Sequence, residues 1–223
     1  SYRSSLTWTL EKHDMDTVDE WSHITLSSTL KLDADKGFCR ALRRFQNSVV
    51  AFQDKAISEV LFNTRTQLST TDGVPVELAN SGKVDGKRYI TNKYGCLNKW
   101  SIVEGKAGLY FVDNLNKAFC SLGAGGNGMG VTNISSNLGF GVWFRKKNSL
   151  QAWTPKRFDN FISFYDKVHS DVYLVSASTD EFFYDDEDTE KTPALVYNES
   201  LGAFTSFFDY GSVPMIVNVQ DRL

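Results

Sequence analysis

Acidic residues, histidines and glycines are what this chain could use to build a reactive or binding site, and their spacing decides the chemistry. Asp180 and Glu181 are paired carboxylates of the kind glycoside hydrolysis needs. That reaction requires two carboxyls facing each other across a cleft, which adjacency in sequence does not provide. Asp185-Asp186-Glu187-Asp188-Thr189-Glu190 offers oxygens to a hard cation, yet it has neither the glycine at the sixth position nor the glutamate at the twelfth of an EF-hand loop. It reads as an exposed acidic loop. His13, His23 and His169 have neither the helical spacing nor the Cys or carboxylate company that suits zinc. The octapeptide from Gly123 to Gly130 invites a phosphate-loop reading, but it lacks the closing Gly-Lys-Ser/Thr, and no helix opens at Val131-Thr132. An inter-strand loop is expected there.

The remaining nucleophiles fare no better. The serines have no Gly-x-Ser-x-Gly elbow. Cys39, Cys96 and Cys120 are odd in number, far apart and set in apolar surroundings, so buried free thiols in a reducing compartment are expected rather than a disulfide framework. Asn133-Ile134-Ser135 and Asn198-Glu199-Ser200 fit the glycosylation sequon by chance, since Asn198 is needed as a turn residue. The expectation is a non-enzymatic chain with no catalytic, cofactor-binding or metal-binding residues.

The elements that would position any site come from a four-fold echo. Val50-Ala51-Phe52-Gln53-Asp54, Leu109-Tyr110-Phe111-Val112-Asp113, Ile162-Ser163-Phe164-Tyr165-Asp166 and Leu195-Val196-Tyr197-Asn198 each end an apolar run on Asp or Asn. An apolar or aromatic residue follows six positions later: Val60, Phe119, Val172 and Phe204. Asp and Asn tolerate turn geometry and hydrogen-bond their own backbone, so each copy predicts a strand, a turn and a returning strand. Glycines recur upstream of the turn acids, with Gly37 before Asp54, Gly95 before Asp113 and Gly139 before Asp166. Units of about 45–60 residues fit a four-stranded propeller blade. Residues 36–45 could form a short helix with Phe38, Leu42 and Phe45 on one face, but a strand pairing with 49–53 fits the surrounding pattern better. Residues 123–133 and 145–158 are expected as long rim loops.

The fold expected is all-β, a propeller-like array of antiparallel four-stranded sheets forming a partial propeller. Residues 1–223 make one such domain, with approximate units at 20–64, 80–122, 131–176 and 190–220. Phe52, Tyr110, Val112, Phe164, Leu195 and Tyr197 are the expected core. Among 223 residues, 41% are apolar and 13% aromatic, enough for packed cores. A net charge of −3 opposes tight binding along a nucleic-acid backbone, and the clusters Arg40/Arg43/Arg44 and Arg145/Lys146/Lys147 read as solvated faces. No apolar run is long enough for a membrane span. The chain shows no signal peptide and no initiator Met, which is expected of a fragment or processed product.

Three phrases carry a family resemblance: Val50-Ala51-Phe52-Gln53-Asp54-Lys55-Ala56-Ile57-Ser58, the segment Gly95-Cys96-Leu97-Asn98-Lys99-Trp100-Ser101-Ile102, and the run from Pro193 to Tyr210. Over most of residues 37–220 the chain resembles the large β-propeller virion proteins of crAss-like bacteriophages, the tail-hub or "muzzle" components, also labelled packaged-DNA stabilisation proteins of short-tailed phages. Those proteins are much longer, so the resemblance implies an excised propeller portion. It implies a mechanical role in the virion tail, below the portal, retaining the genome and guiding its ejection. The implied partners are other tail and portal proteins, further copies in a homo-oligomeric ring, and packaged DNA passing without tight binding. Synthesis in the bacterial cytoplasm is implied as well. A carbohydrate-binding or glycan-processing propeller is the alternative, with Trp100, Trp143 and Trp153 stacking on sugars.

Overall fold

The computed structural model describes residues 2–9, 24, 28–62, 67–69, 75–77, 84–125, 128–149, 161–176 and 194–208. The chain divides into two compact units, Ser1–Asn92 and Lys93–Leu223.

The first unit opens with β1 (Ser5–Thr7) paired antiparallel to β2 (Thr29–Lys31). A four-stranded antiparallel meander follows: β3 (Cys39–Phe45), β4 (Ser48–Gln53), β5 (Ile57–Phe62) and, after the small hairpin β6 (Gln67–Ser69) and β7 (Pro75–Glu77), β8 (Val84–Thr91). The run Val49-Val50-Ala51-Phe52 has no alternating polar residue to give a wet face. Val50, Ala51 and Phe52 are accordingly all fully buried, so both faces of β4 are covered. On one face Ala51 and Val60 pack beneath Leu6, Leu30 and Leu32, which makes the β1–β2 pair a lid on this sheet. Residues 39–45 are a strand, as the pattern favoured, preceded by a 3-10 turn at Ala34–Lys36. The alternative helical stripe is not made, and Leu42 stays 46% exposed.

The second unit holds two such meanders. One contains β9 (Val103–Glu104), β10 (Gly108–Asp113), β11 (Ala118–Gly125) and β12 (Gly128–Asn133), in the order β12-β11-β10-β9. Two helices, α1 (Ile134–Asn137) and α2 (Gly141–Ser149), lead to the other, which contains β13 (Phe161–Asp166), β14 (Asp171–Ser176), β15 (Ala194–Asn198) and β16 (Ala203–Phe208) in sequence order. Tyr110, Val112 and Phe119 of the first sheet share one core with Tyr165, Leu174, Leu195 and Tyr197 of the second. Phe144 of α2 closes it, with its ring stacked 6.2 Å from that of Phe119. The opposite faces are buried too: Leu109 and Phe111 on β10, and Val175 and Val196 on β14 and β15. The described residues thus contain three open, four-stranded antiparallel sheets, the all-β, partial-propeller-like class expected from sequence.

Several expectations need correction. All four predicted hairpins form, but the third and fourth lie in one sheet, because β14 pairs directly with β15. β13 and β14 of the unit placed at 131–176 and β15 and β16 of the unit placed at 190–220 are therefore one meander, while residues 131–133 end β12 of the neighbouring sheet. The glycine-rich segment is the tip of a strand pair, with Gly123 opposite Gly130 and Gly125 opposite Gly128. Part of the expected loop at 145–158 is helical, since α2 runs to Ser149 to bring Trp143 and Phe144 onto the core. Phe164 is half-buried on the far face of β13, stacked on Tyr173 at 4.4 Å, and is not in the shared core. The other five core candidates are buried. Residues 190–193 and 209–220 of the last expected unit lie outside the described residues. No helix among the described residues is long and apolar enough to cross a membrane, which leaves strands unaddressed.

Phe119 touches Tyr110, Phe144, Tyr197 and Phe204 with nowhere for the core to relax. Phe119→Ala is expected to cost about 3–5 kcal/mol. Phe164→Ala, on the half-buried face, is expected to cost clearly less. Urea unfolding of both variants checks this, and equal midpoints would contradict the core assignment.

Candidate functional site

The turn acids form one recurring device. Asp54 Oδ2 accepts from Phe38 N at 3.0 Å, and its other oxygen takes Arg40 Nε at 2.5 Å. Gly37 sits at φ +85° beside this carboxylate, and a Cβ there would run into Asp54 Oδ2 and Cβ. Asp113 repeats the arrangement, taking Gly95 N on Oδ2 at 3.0 Å and Leu115 N and Asn116 N on Oδ1 at 2.9 Å. The spacing between an upstream glycine and a turn acid is thus the trace of a hydrogen bond between a loop and a hairpin. Asp166 departs from it. Its oxygens take Val168 N at 2.8 Å and His169 Nδ1 at 2.5 Å, while Gly139 N bonds Ser136 O. Asn198 accepts from Leu201 N at 2.8 Å and donates to Asp171 and to His169 O. At three tips the residue whose N–H is captured carries an exposed aliphatic side chain: Leu115, Val168 and Leu201.

Burial pushes the Asp113 carboxyl above its ordinary range, and its backbone and Asn116 donors only partly pull it back. Asp166 moves the other way. Burial opposes its charge, but the His169 ring and two backbone N–H groups outweigh that and hold it low. The same contact raises the exposed His169.

Glu199, like Asp113, gathers four donors, but from elements far apart in the chain. Its Oε1 accepts from Ala107 N at 2.6 Å and Tyr110 Oη at 2.9 Å. Its Oε2 accepts from Lys106 N at 3.0 Å and Tyr165 Oη at 2.7 Å. One carboxylate thereby joins the β9–β10 turn, β10, β13 and the β15–β16 turn, tying together the two sheets of the unit. Gly105 makes the approach possible, because a Cβ there would lie 2.8 Å from both Glu199 Oε1 and the Tyr110 ring. A tyrosine and a carboxylate in contact could serve as nucleophile and base. The titration argues against that use. Burial opposes the Glu199 charge, yet the four donors prevail and keep its pKa low. Burial and the Glu199 charge push Tyr110 and Tyr165 up. A carboxylate saturated by four donors, beside phenols that resist ionisation, is built as a tie between the sheets.

The other candidates are accounted for residue by residue. Asn133 caps α1 through Ser136 N at 2.9 Å and also takes Ser135 Oγ, so both sequon asparagines serve turns and caps. Cys96 and Cys120 are buried and Cys39 half-buried; burial raises Cys39 and Cys120, the opposite of an activated thiol. Trp143 packs edge-on to Phe144 at 4.9 Å, with Phe161 and Phe207 beside it, so it is no sugar platform, whereas Trp100 is 43% exposed. Arg43 and Arg44 bond backbone carbonyls, and Arg145 is exposed on α2. Asp180, Glu181, the run 185–190, His13, His23 and Trp153 lie outside the described residues, as do the side chains of Lys146 and Lys147. No group of three or more His, Cys, Asp or Glu able to hold a metal occurs among the described residues. The Glu199 clamp was missed in sequence because its members lie up to 93 residues apart.

Glu199→Gln places an amide donor against existing donors and is expected to cost about 2 kcal/mol at neutral pH. A folded-state pKa below the ordinary 4.5 means the charge stabilises fully above that value. The contribution is lost as pH falls through the depressed folded value. The gap in melting temperature between the parent and Glu199→Gln should therefore be widest near neutrality and close in acid. Tyr110, Tyr165 and Tyr197, raised above 10.0, contribute stability that is complete below about pH 10 and lost as pH rises beyond it. Thermal melts from acid to alkaline pH check both edges, and a gap independent of pH would refute the clamp.

The crassvirus muzzle protein family model matches residues 1–223. A protein of Bacteroides phage crAss001 named "Muzzle protein" is 41% identical over 221 residues, covering 99% of this chain. The chain spans only 15% of that relative's length. With a match along its whole length, the chain belongs to the crassvirus muzzle protein family.

Proposed function

We propose that the chain is a structural piece of a phage virion, part of a muzzle at the tail. The 41% identity to a muzzle protein across nearly the whole chain carries this reading. The physical design agrees with it. Glu199 and the turn acids spend their lone pairs on backbone N–H groups and on tyrosine, arginine, histidine and asparagine donors, which stiffens hairpins and sheet stacking. In this reading residues 1–223 work as one portion of a propeller that the longer polypeptide completes. Copies assemble as a ring below the portal, extend the channel, help retain the packaged genome and guide its ejection. Exposed turn tips such as Val168 and Leu201 meet neighbouring tail and portal proteins. A mildly acidic chain, at −3 overall, lets duplex DNA slide without a counterion-release grip. The protein is made in the host cytoplasm and ends in the virion.

Immunogold electron microscopy with antibodies raised against this chain tests the assignment. Gold is expected at the tail vertex of intact virions. Labelling of capsid faces alone, or particles that lack the protein by mass spectrometry, would overturn it.

A further inference from the structure

β12 is the outermost strand of its sheet, and among the described residues it pairs with β11 alone. Its ladder, from Cys120 opposite Asn133 to Gly125 opposite Gly128, runs without a bulge. Alternate residues of an edge strand turn their N–H and C=O groups away from the sheet. Among the described residues, Gly128–Thr132 have no hydrogen-bond partner outside β11, and every position of the strand is exposed or half-buried. The ladder from β11 to β10 stops at Gly123 opposite Gly108, so the tip beyond it is a two-stranded ribbon, a marginal arrangement by itself. Edge strands are normally blunted by lysine, proline, charge or a bulge. β3 carries Arg40, Arg43 and Arg44 and shifts register after Cys39, while β8 carries Asp85, Lys87 and Arg88 and shifts as well. Gly128-Met129-Gly130-Val131-Thr132 has none of these devices.

The strand's own pattern says what fits its open edge. Small, apolar, small, apolar, small reads the same in both directions about Gly130. We propose that β12 pairs antiparallel with β12 of a second copy of this chain, about a two-fold axis through Gly130. Gly130 then lies opposite its own counterpart, Met129 opposite Val131 of the second copy, and Gly128 opposite Thr132. Even positions meet even and odd meet odd, so the outward-turned groups of each copy face those of the other. The cross-strand row Leu109, Leu122, Val131 continues onto Met129 of the second copy, and two four-stranded sheets become one of eight. These five residues carry no charge, so like copies meet along the strand without repulsion. The contact is isologous, distinct from the head-to-tail contacts of a ring, and it does not depend on the virion reading. One strand pair buries less than a standard interface, so the dimer is weak, with a dissociation constant of about 100 µM.

Sedimentation velocity of the chain, over about a decade of concentration on either side of that value, is the test. A monomer–dimer equilibrium is expected, and salt should leave it unchanged because no charges meet at the contact. Position 130 accepts a side chain, since a Cβ there meets nothing within 4 Å. Gly130→Lys and Gly130→Glu each set like charges face to face across the axis and should weaken the dimer about tenfold. An equimolar mixture of the two variants should restore association, which requires residue 130 to oppose its own counterpart. Melting temperatures of the dilute variants equal to the parent's confirm folding. Amide hydrogen exchange of the parent needs no variant: alternate residues within 128–132 should gain protection as concentration rises. A parent that stays monomeric, a dimer indifferent to both charges, a mixture that stays monomeric because a different strand occupies the edge, or protection independent of concentration would each overturn the proposal.

Discussion

The structure depends on strands that are apolar on both faces. Val50-Ala51-Phe52 in β4, Leu109 through Val112 in β10 and Ala194 through Val196 in β15 leave no side to water, and the buried areas follow. A sheet built from such strands cannot form the outside of a sandwich. It is an inner layer, and each large side chain it buries contributes about 1.5–3 kcal/mol. In the second unit one such interface is fully visible, where Tyr110 and Phe119 meet Leu195 and Tyr197 with Phe144 across the end. Stacking is the organising interaction, and the turns and clamps set how the stacked layers register.

Polar chemistry is spent on that registration. Glu199 accepts four hydrogen bonds from three other segments, and Asp113 ties a loop ten or more residues upstream to its own hairpin. The two differ in charge preference: four donors hold Glu199 ionised, whereas burial keeps the Asp113 carboxyl above its ordinary range. Membership of the crassvirus muzzle protein family, a family of structural phage proteins, accords with carboxylates placed to fix hairpins and sheets.

Sequence legibility followed range. The hairpins were readable because their signal is local, an apolar run ending on Asp or Asn, and all four formed. The spacing of Gly37 from Asp54 and of Gly95 from Asp113 was visible before its hydrogen bonds were. Sheet membership was less visible, since nothing local says that β14 pairs with β15 across residues 177–193. The helix α2 was hidden by its own composition: Gly141-Val142-Trp143-Phe144 looks like a strand start, and only the aromatic core it caps makes it helical. Phe164 was misassigned because a strand buried on both faces gives no alternation to say which core a residue enters. The Glu199 clamp joins residues distant in the chain, so no window of sequence contains it.

At the hairpin tips, Asp113, Asp166 and Asn198 grip the main-chain amides of Leu115, Val168 and Leu201 and ignore what those residues carry beyond the Cα. The shape of each tip is therefore independent of the group it displays. Such positions are interchangeable fingertips on a fixed hand, where a lineage can swap what it presents to a neighbour without retooling the scaffold beneath.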